Sequence, residues 1–112
     1  IHVENERFIN ASTGISGSGP AYVFYFMQSM MEAALKMGFT TNDSKVLVAQ
    51  TFEGAVKLFN ESDLSPNSWM ERVASKGGTT RAALDSMEDN NVKELIKEAA
   101  YAAFDRATEL GK

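Results

Sequence analysis

The sequence predicts an all-α domain, and three observations lead to that prediction. Segments with apolar residues at helical spacing follow one another through nearly the whole chain. Glycine, proline and capping residues stand between these segments, where helices end and begin. No stretch of useful length alternates apolar and polar residues as a half-buried strand does. We therefore expect the 112 residues to form a single domain, a bundle of about five helices.

The first helix is expected to follow a run of small residues. Residues 9–19 (INASTGISGSG) predict a flexible lead-in. Pro20 fits the first helical turn, because the N–H that proline lacks has no helical partner there. The sequence from Ala21 to Met37 favours helix, and Gly38 is a typical stop signal.

Capping residues place the next two helices. Thr40 or Thr41 is expected to cap a second helix that runs to about Asn60. Ser65-Pro66 combines a capping serine with proline at the first helical position, and so starts a short third helix. We interpret Trp69 as an anchor for this short helix.

The last two helices follow a glycine loop. The fourth is expected from about Thr80 to Met87, and the polar turn 89–91 separates it from the fifth. The fifth helix has the clearest 3.6-residue period in the chain. Its predicted apolar face consists of Val92, Leu95, Ile96, Ala99, Ala103, Ala107 and Leu110.

The helix after Pro20 is expected to be buried on every side. Residues 21–27 (AYVFYFM) are all apolar, so apolar side chains cover every face of this helix. The second helix is nearly as apolar, and a chain of this length has little material to enclose both. Sharing the burial with a second copy favours an obligate dimer with a large apolar interface. The alternative is a tightly wrapped monomeric core.

Composition argues against several classes of function. The net charge is −4 and the sequence pI is about 4.9, whereas nucleic-acid binding requires a basic face. The chain contains no cysteine, and its one histidine is His2. We therefore expect no disulfide, no metal site and no histidine general base.

Targeting signals are not visible in the sequence. The first residues lack the basic and apolar regions of a signal peptide. The longest apolar run, residues 21–27, is too short to span a bilayer. These observations predict a cytoplasmic domain without a membrane partner. The chain begins without an initiator methionine, which favours a fragment of a longer protein.

Residues 75–80 (SKGGTT) form the first candidate ligand site. Two glycines allow a sharp turn and the close approach of a ligand. The N–H groups that follow have no helical partner and lie at the positive end of the helix dipole, which suits a carboxylate or a phosphate. On spacing alone, a tight turn with an ordinary threonine cap is the favoured interpretation.

Two further segments leave similar choices open. Residues 16–20 (SGSGP) resemble a phosphate-binding loop, but a hinge or linker into a buried helix is favoured. In either case the glycines allow a flat group to lie against the backbone. No preceding strand and no Gly-Lys-Ser/Thr sequence accompany them, so neither phosphate-binding fingerprint is met. Asp63 is expected either to face a cationic group of a ligand or, as is usual for an aspartate in a turn, only to cap the turn.

Two long segments resemble the signature of the pyrroline-5-carboxylate reductases, the enzymes of the last step of proline synthesis. The resemblance covers essentially the whole chain, and the separation of the two segments fits the family as well. The two segments are residues 73–88 (VASKGGTTRAALDSME) and residues 13–22 (TGISGSGPAY). Lys36-Met37-Gly38, at the end of the helix that follows Pro20, also resembles the family.

The resemblance implies both a fold and an activity. The fold is that of the C-terminal domain of 6-phosphogluconate dehydrogenase, a helical bundle interlocked with its twin, possibly within a higher oligomer. The activity is hydride transfer from NADPH or NADH to the C=N carbon of 1-pyrroline-5-carboxylate, which gives L-proline. The family binds its nucleotide in an N-terminal Rossmann domain that this sequence lacks. The chain alone is therefore expected to bind no cofactor and to be inactive.

The resemblance also implies roles for individual residues. Thr80 is the catalytic candidate, contacting the ring nitrogen or the carboxylate of the substrate, and Gly19, Pro20 and Ala21 lie on the nicotinamide side. One departure is Lys76, where proline is common in the family. The implied substrate-binding residues are Asp63, Val73, Ser75, Gly77, Gly78, Thr79 and Thr80.

Two competing hypotheses remain. The chain is a dimerisation module without a ligand of its own, or the helical half of another NAD(P)-dependent two-domain dehydrogenase, such as one that acts on a β-hydroxyacid. The latter enzymes usually carry a catalytic lysine on the long helix after the linker. Between Pro20 and Met37 the only lysine is Lys36, near the far end, which disfavours this option.

Overall fold

The structure is a computed structural model that describes residues 5–75 and 78–111. Within these residues the chain forms six α-helices and one π-helical turn without any strand, which confirms the predicted all-α class. No described helix has the length and apolar character needed to cross a membrane. The elements are α1 (Glu6–Ser12), the π-helical turn (Thr13–Gly17), α2 (Gly19–Lys36), α3 (Thr41–Asn60), α4 (Pro66–Ala74), α5 (Gly78–Asp89) and α6 (Val92–Leu110).

The end of α2 is set by Gly38, as the sequence predicts. Its φ angle is +110°, a conformation that side chains with a Cβ rarely adopt. The Gly38 N–H donates to the Leu35 carbonyl at 3.1 Å, and the Phe39 N–H donates to the Ala34 carbonyl at 3.1 Å. This pair of bonds is the Schellman arrangement, which satisfies carbonyls that the helix leaves without partners.

The starts of α3 and α4 also follow their capping residues. The Thr40 hydroxyl accepts from the Asp43 N–H at 3.1 Å, and the Ser65 hydroxyl accepts from the Ser68 N–H at 3.1 Å. Pro66 occupies the first turn of α4. The predicted starts of both helices are therefore confirmed. They could be predicted because a helix cap depends only on residues that are neighbours in the sequence.

The expected flexible lead-in is wrong, since α1 and the π-helical turn occupy most of residues 9–19. Asn5 caps α1 by accepting from the Phe8 N–H at 3.1 Å. Within the π-helical turn, the Ser18 N–H donates to the Thr13 carbonyl at 2.7 Å, five residues earlier. Of the glycines in this segment, Gly14 is the one that a close helix contact requires.

That contact is made by Gly14, the buried residue of the π-helical turn, against α6. A Cβ at Gly14 would lie 2.9 Å from the Ala100 carbonyl oxygen and 3.3 Å from the Phe104 nitrogen, which are both backbone atoms. The two backbones therefore approach as closely as only glycine allows.

Replacing Gly14 with Ala is expected to destabilise the fold by about 1–3 kcal/mol, the usual cost of forcing a methyl group into a packed contact. Thermal unfolding at fixed protein concentration measures the effect. Gly17→Ala is the matched control in the same turn, because its Cβ would meet nothing nearer than 3.8 Å. Equal unfolding temperatures for the two variants would contradict the close contact.

The chain divides into two compact units. One, the terminal unit, consists of Ile1–Tyr25 with Met87–Lys112, and in it α1, the π-helical turn and α6 pack on one another. The Asn10 side-chain amide donates to the Thr108 hydroxyl at 3.4 Å between α1 and α6. The other, the central unit, is Phe26–Ser86, where the Phe26 and Phe52 rings meet edge to face at 5.4 Å.

The packed face of α6 differs from the face that the sequence predicts. Val92, Ala103 and Ala107 are half-buried as expected, whereas Leu95 and Ile96 are more than half exposed. Ala99 and Leu110 are exposed as well. The half-buried face is completed by Ala100, Phe104 and Thr108, because α6 packs on the Gly14 turn and leaves part of its apolar surface uncovered.

The single chain does not form the monomeric core that was the alternative to a dimer. Val48 is the one apolar side chain counted as buried among residues 5–75 and 78–111. On α2 the predicted all-round apolar helix is open to solvent, with Phe24 68% and Tyr25 75% exposed. Soluble proteins cover apolar surface of this extent, so a further surface is required.

Candidate functional site

The start of α5 carries the central part of the predicted substrate site. The helix begins at Gly78, two residues earlier than expected. A Cβ at Gly78 would meet no other atom within 4 Å, so the backbone here is open to an approaching group. Thr79 is exposed and Thr80 is half-buried. Gly77 and the divergent Lys76 lie outside the described residues.

The end of α4 places two more of the predicted substrate residues. Ser75 caps the helix, and its hydroxyl donates to the Arg72 carbonyl at 2.8 Å. Its N–H donates to the Glu71 carbonyl at 2.9 Å. Because both donors are used within α4, the Ser75 hydroxyl oxygen remains as an acceptor only. Val73 is about half exposed on the same helix.

Asp63 lies exposed in the turn between α3 and α4, and its neighbours fix that turn. The half-buried Trp69 indole donates to the Ser62 hydroxyl at 2.9 Å, and the Leu64 N–H donates to the same oxygen at 3.3 Å. The Arg72 guanidinium carbon lies 5.2 Å from the centre of the Trp69 ring. Trp69 therefore is the anchor that the sequence suggested, while the role of Ser62 had no sequence signal.

The predicted cofactor residues stand at the start of α2, in the terminal unit. Gly19 and Pro20 line an open and mostly apolar depression. Ala21 is exposed, and its N–H donates to the Ser18 carbonyl at 3.0 Å. The other lining residues are Ile15, Ser16, Tyr22, Val23 and Phe24.

Sequence reasoning missed the hydrogen bond that joins this depression to the π-helical turn. The Tyr22 hydroxyl donates to the Gly14 carbonyl at 2.8 Å. Tyr22 is half-buried and Gly14 is buried. The only sequence signal was a tyrosine eight residues after a glycine, and such a pair is not recognisable before the π-helical geometry is known.

The predicted site residues that the structure describes are divided between the two compact units. The predicted substrate residues that the structure describes all belong to the central unit. The predicted cofactor residues Gly19, Pro20 and Ala21 belong to the terminal unit.

Comparison with known proteins gives a consistent result. The sequence model of the family described as Pyrroline-5-carboxylate reductase dimerisation matches residues 6–110. Pyrroline-5-carboxylate reductase of Pseudomonas aeruginosa is 38% identical over 112 residues, which are 100% of this chain and 41% of that protein. The enzyme of Kluyveromyces lactis is 39% identical over 107 residues, 96% of this chain and 38% of that protein.

Solved structures show the same similarity. The crystal structure of pyrroline carboxylate reductase from Plasmodium falciparum with NADP bound has a TM-score of 0.93 at 36% identity, covering 100% of this chain and 43% of that one. A pyrroline-5-carboxylate reductase from Coxiella burnetii has a TM-score of 0.91 at 39% identity, covering 98% and 41%. The chain thus spans about two fifths of the length of these relatives. It belongs to the pyrroline-5-carboxylate reductase dimerisation family.

Proposed function

We propose that this chain is the dimerising and substrate-binding part of a pyrroline-5-carboxylate reductase, which reduces 1-pyrroline-5-carboxylate to L-proline with NADPH or NADH. The family match over residues 6–110 is the observation that carries the proposal. The relatives with this domain are named as pyrroline-5-carboxylate reductases, and the one from Plasmodium falciparum holds NADP. Because they are more than twice as long, the nucleotide-binding part is assigned to sequence beyond this chain.

The start of α5 supports the role in holding the substrate carboxylate. The first N–H groups of this helix have no helical acceptor and lie at the positive end of the helix dipole. Gly78 leaves that backbone uncovered, so a carboxylate can accept hydrogen bonds from it directly. Gly77 and Thr79 belong to the same proposed cradle. Thr80 follows one residue later, with its hydroxyl assigned to the ring nitrogen or the carboxylate.

The depression beside Pro20 supports the role on the nicotinamide side. A Cβ at Gly19 would have no neighbour within 4 Å, and the lining is mostly apolar. A flat ring fits an open apolar surface of this kind. A bound reduced nicotinamide would supply the hydride that forms the new C–H bond, and the C=N π pair of the protonated imine would pass to the ring nitrogen to give the neutral amine. The residues of this chain hold and orient the imino acid and exclude water.

The exposed apolar surface supports a homodimer as the working state. Phe24 and Tyr25 on α2 and Val56 and Phe59 on α3 are about half exposed or more in the single chain. A second copy of the same chain presents the same apolar helices, so the two can cover each other in an isologous interface. The cytoplasmic location expected from the sequence stays a prediction, and cell fractionation checks it.

Titration of the 15N-labelled chain with L-proline tests the proposed substrate site. We expect saturable shifts of the amide resonances of Gly77, Gly78, Thr79 and Thr80. The amides of Thr41, Asn42 and Asp43 at the start of α3 are the matched control, since any helix start attracts anions weakly. Equal shifts at both helix starts, or no shifts at the start of α5, would contradict the proposed substrate site. The chain would then be a dimerisation module without a ligand of its own. We also expect the chain alone to show no reductase activity with either cofactor.

A further inference from the structure

The residues around the Gly14 turn form a connected path from α6 to the start of α2. The buried Gly14 packs closely against the backbone of α6. A Cβ placed at Gly14 would lie 2.9 Å from the Ala100 carbonyl oxygen. The Gly14 carbonyl accepts the Tyr22 hydroxyl at 2.8 Å. Tyr22 in turn lines the depression with Gly19 and Pro20. All these residues lie in the terminal unit, so the path is contained within one compact body.

The π-helical geometry explains why such a tether is needed. Hydrogen bonds five residues apart, such as the one from Ser18 to Thr13, make a wider turn than the α-helix, and single π-helical turns are frequent at functional sites. The Thr13 and Ser16 hydroxyls donate to carbonyls four residues earlier, at 3.1 Å and 3.0 Å. These bonds hold the turn only to α1. The Tyr22 hydroxyl adds a side-chain hydrogen bond from the first turn of α2 back to the π-helical turn.

We propose that Tyr22 is a positioning residue: its hydrogen bond to Gly14 sets the placement of the Gly19–Pro20–Ala21 segment against which the nicotinamide ring lies. The inference rests on the proposed function for the identity of the ring. The physical reason is that hydride transfer requires donor and acceptor carbons at close approach in the correct orientation. A segment fixed by α6 through Gly14 and Tyr22 presents the same surface in every turnover.

The tether itself is tested on this chain by replacing Tyr22 with Phe, which removes one oxygen and keeps the ring in the depression. We expect the amide resonances of Gly14, Gly19 and Ala21 to shift. Tyr101→Phe is the control, because it removes a hydroxyl from an exposed tyrosine of α6 in the same unit. Unchanged resonances at Gly19 and Ala21 in the Tyr22 variant would overturn the inference.

The positioning role is tested in the full-length reductase that contains this chain. We expect Tyr22→Phe to lower kcat about tenfold per folded dimer, as a small misplacement of reacting groups does, while KM for the imino acid stays within about twofold. A kcat within twofold of wild type, an equal fall in Tyr101→Phe, or a fall that vanishes after correction for folded dimer would overturn it. A wild-type protein without reductase activity would instead remove the proposed function, and the resonance shifts would then decide on the tether alone.

Discussion

Replacing Phe24 with Asp is expected to abolish dimerisation of the chain. Phe24 is 68% exposed in the single chain, on the helix whose residues 21–27 are apolar on every face. Burial of a Phe side chain contributes about 1.5–3 kcal/mol, and a symmetric interface contains the residue twice. A carboxylate at this position also loses its hydration when the subunits meet. We expect the dissociation constant to rise at least a hundredfold, as roughly 3 kcal/mol or more implies.

Sedimentation across a range of protein concentrations measures this effect. Lys93→Asp is the control, since it changes the charge by a larger amount at an exposed position in the first turn of α6, where an acidic residue is well tolerated. We expect this control to remain dimeric. A Phe24 variant that sediments as the wild type does, or a wild-type chain that is a stable monomer at micromolar concentration, would refute the proposed interface.

Replacing Thr80 with Ala in the full-length enzyme is expected to lower kcat about a hundredfold, because loss of a hydrogen bond that positions the imino acid misplaces the carbon that accepts the hydride. The change should leave folding intact, because Thr80 lies in the first turn of α5 and alanine has the higher helix propensity. Steady-state kinetics with both substrates measures the loss, and circular dichroism checks the fold.

Thr80→Ser is the matched control for that experiment, because it keeps the hydroxyl and removes only a methyl group. We expect it to retain most of the activity. If Ala and Ser variants lose activity equally, the methyl group and not the hydroxyl is important. Wild-type kinetics in the Ala variant would exclude Thr80 from the catalytic site.

The helices that depend on local signals were predictable from the sequence. The end of α2 and the starts of α3 and α4 follow from Gly38, Thr40 and Ser65-Pro66, each of which acts on residues within one turn. The anchoring role of Trp69 was also predictable, although its partner Ser62 was not. Short-range hydrogen bonds of this kind need no knowledge of the remaining chain.

The parts that depend on distant residues were not predictable. Residues 9–19 read as a flexible segment, because the contact that requires Gly14 is made with Ala100 and Phe104 on α6. The face of α6 that makes this contact is not the predicted apolar face. Leu95 and Ile96, which belong to the predicted face, therefore remain exposed. The hydrogen bond from the Tyr22 hydroxyl to the Gly14 carbonyl could not be predicted either, because it depends on the geometry of the π-helical turn.

The sequence by itself determined the all-α class, the boundaries of most helices and, through the apolar run 21–27, the need for a partner surface. It also determined the family, through two long segments at the correct separation. Only the tertiary structure decided which glycine packs against α6, which face of α6 is covered and how Tyr22 is tied to the start of α2. The physical reason is that capping and apolar periodicity act over one or two helical turns, whereas a backbone contact between residues 14 and 100 exists only once the chain has folded.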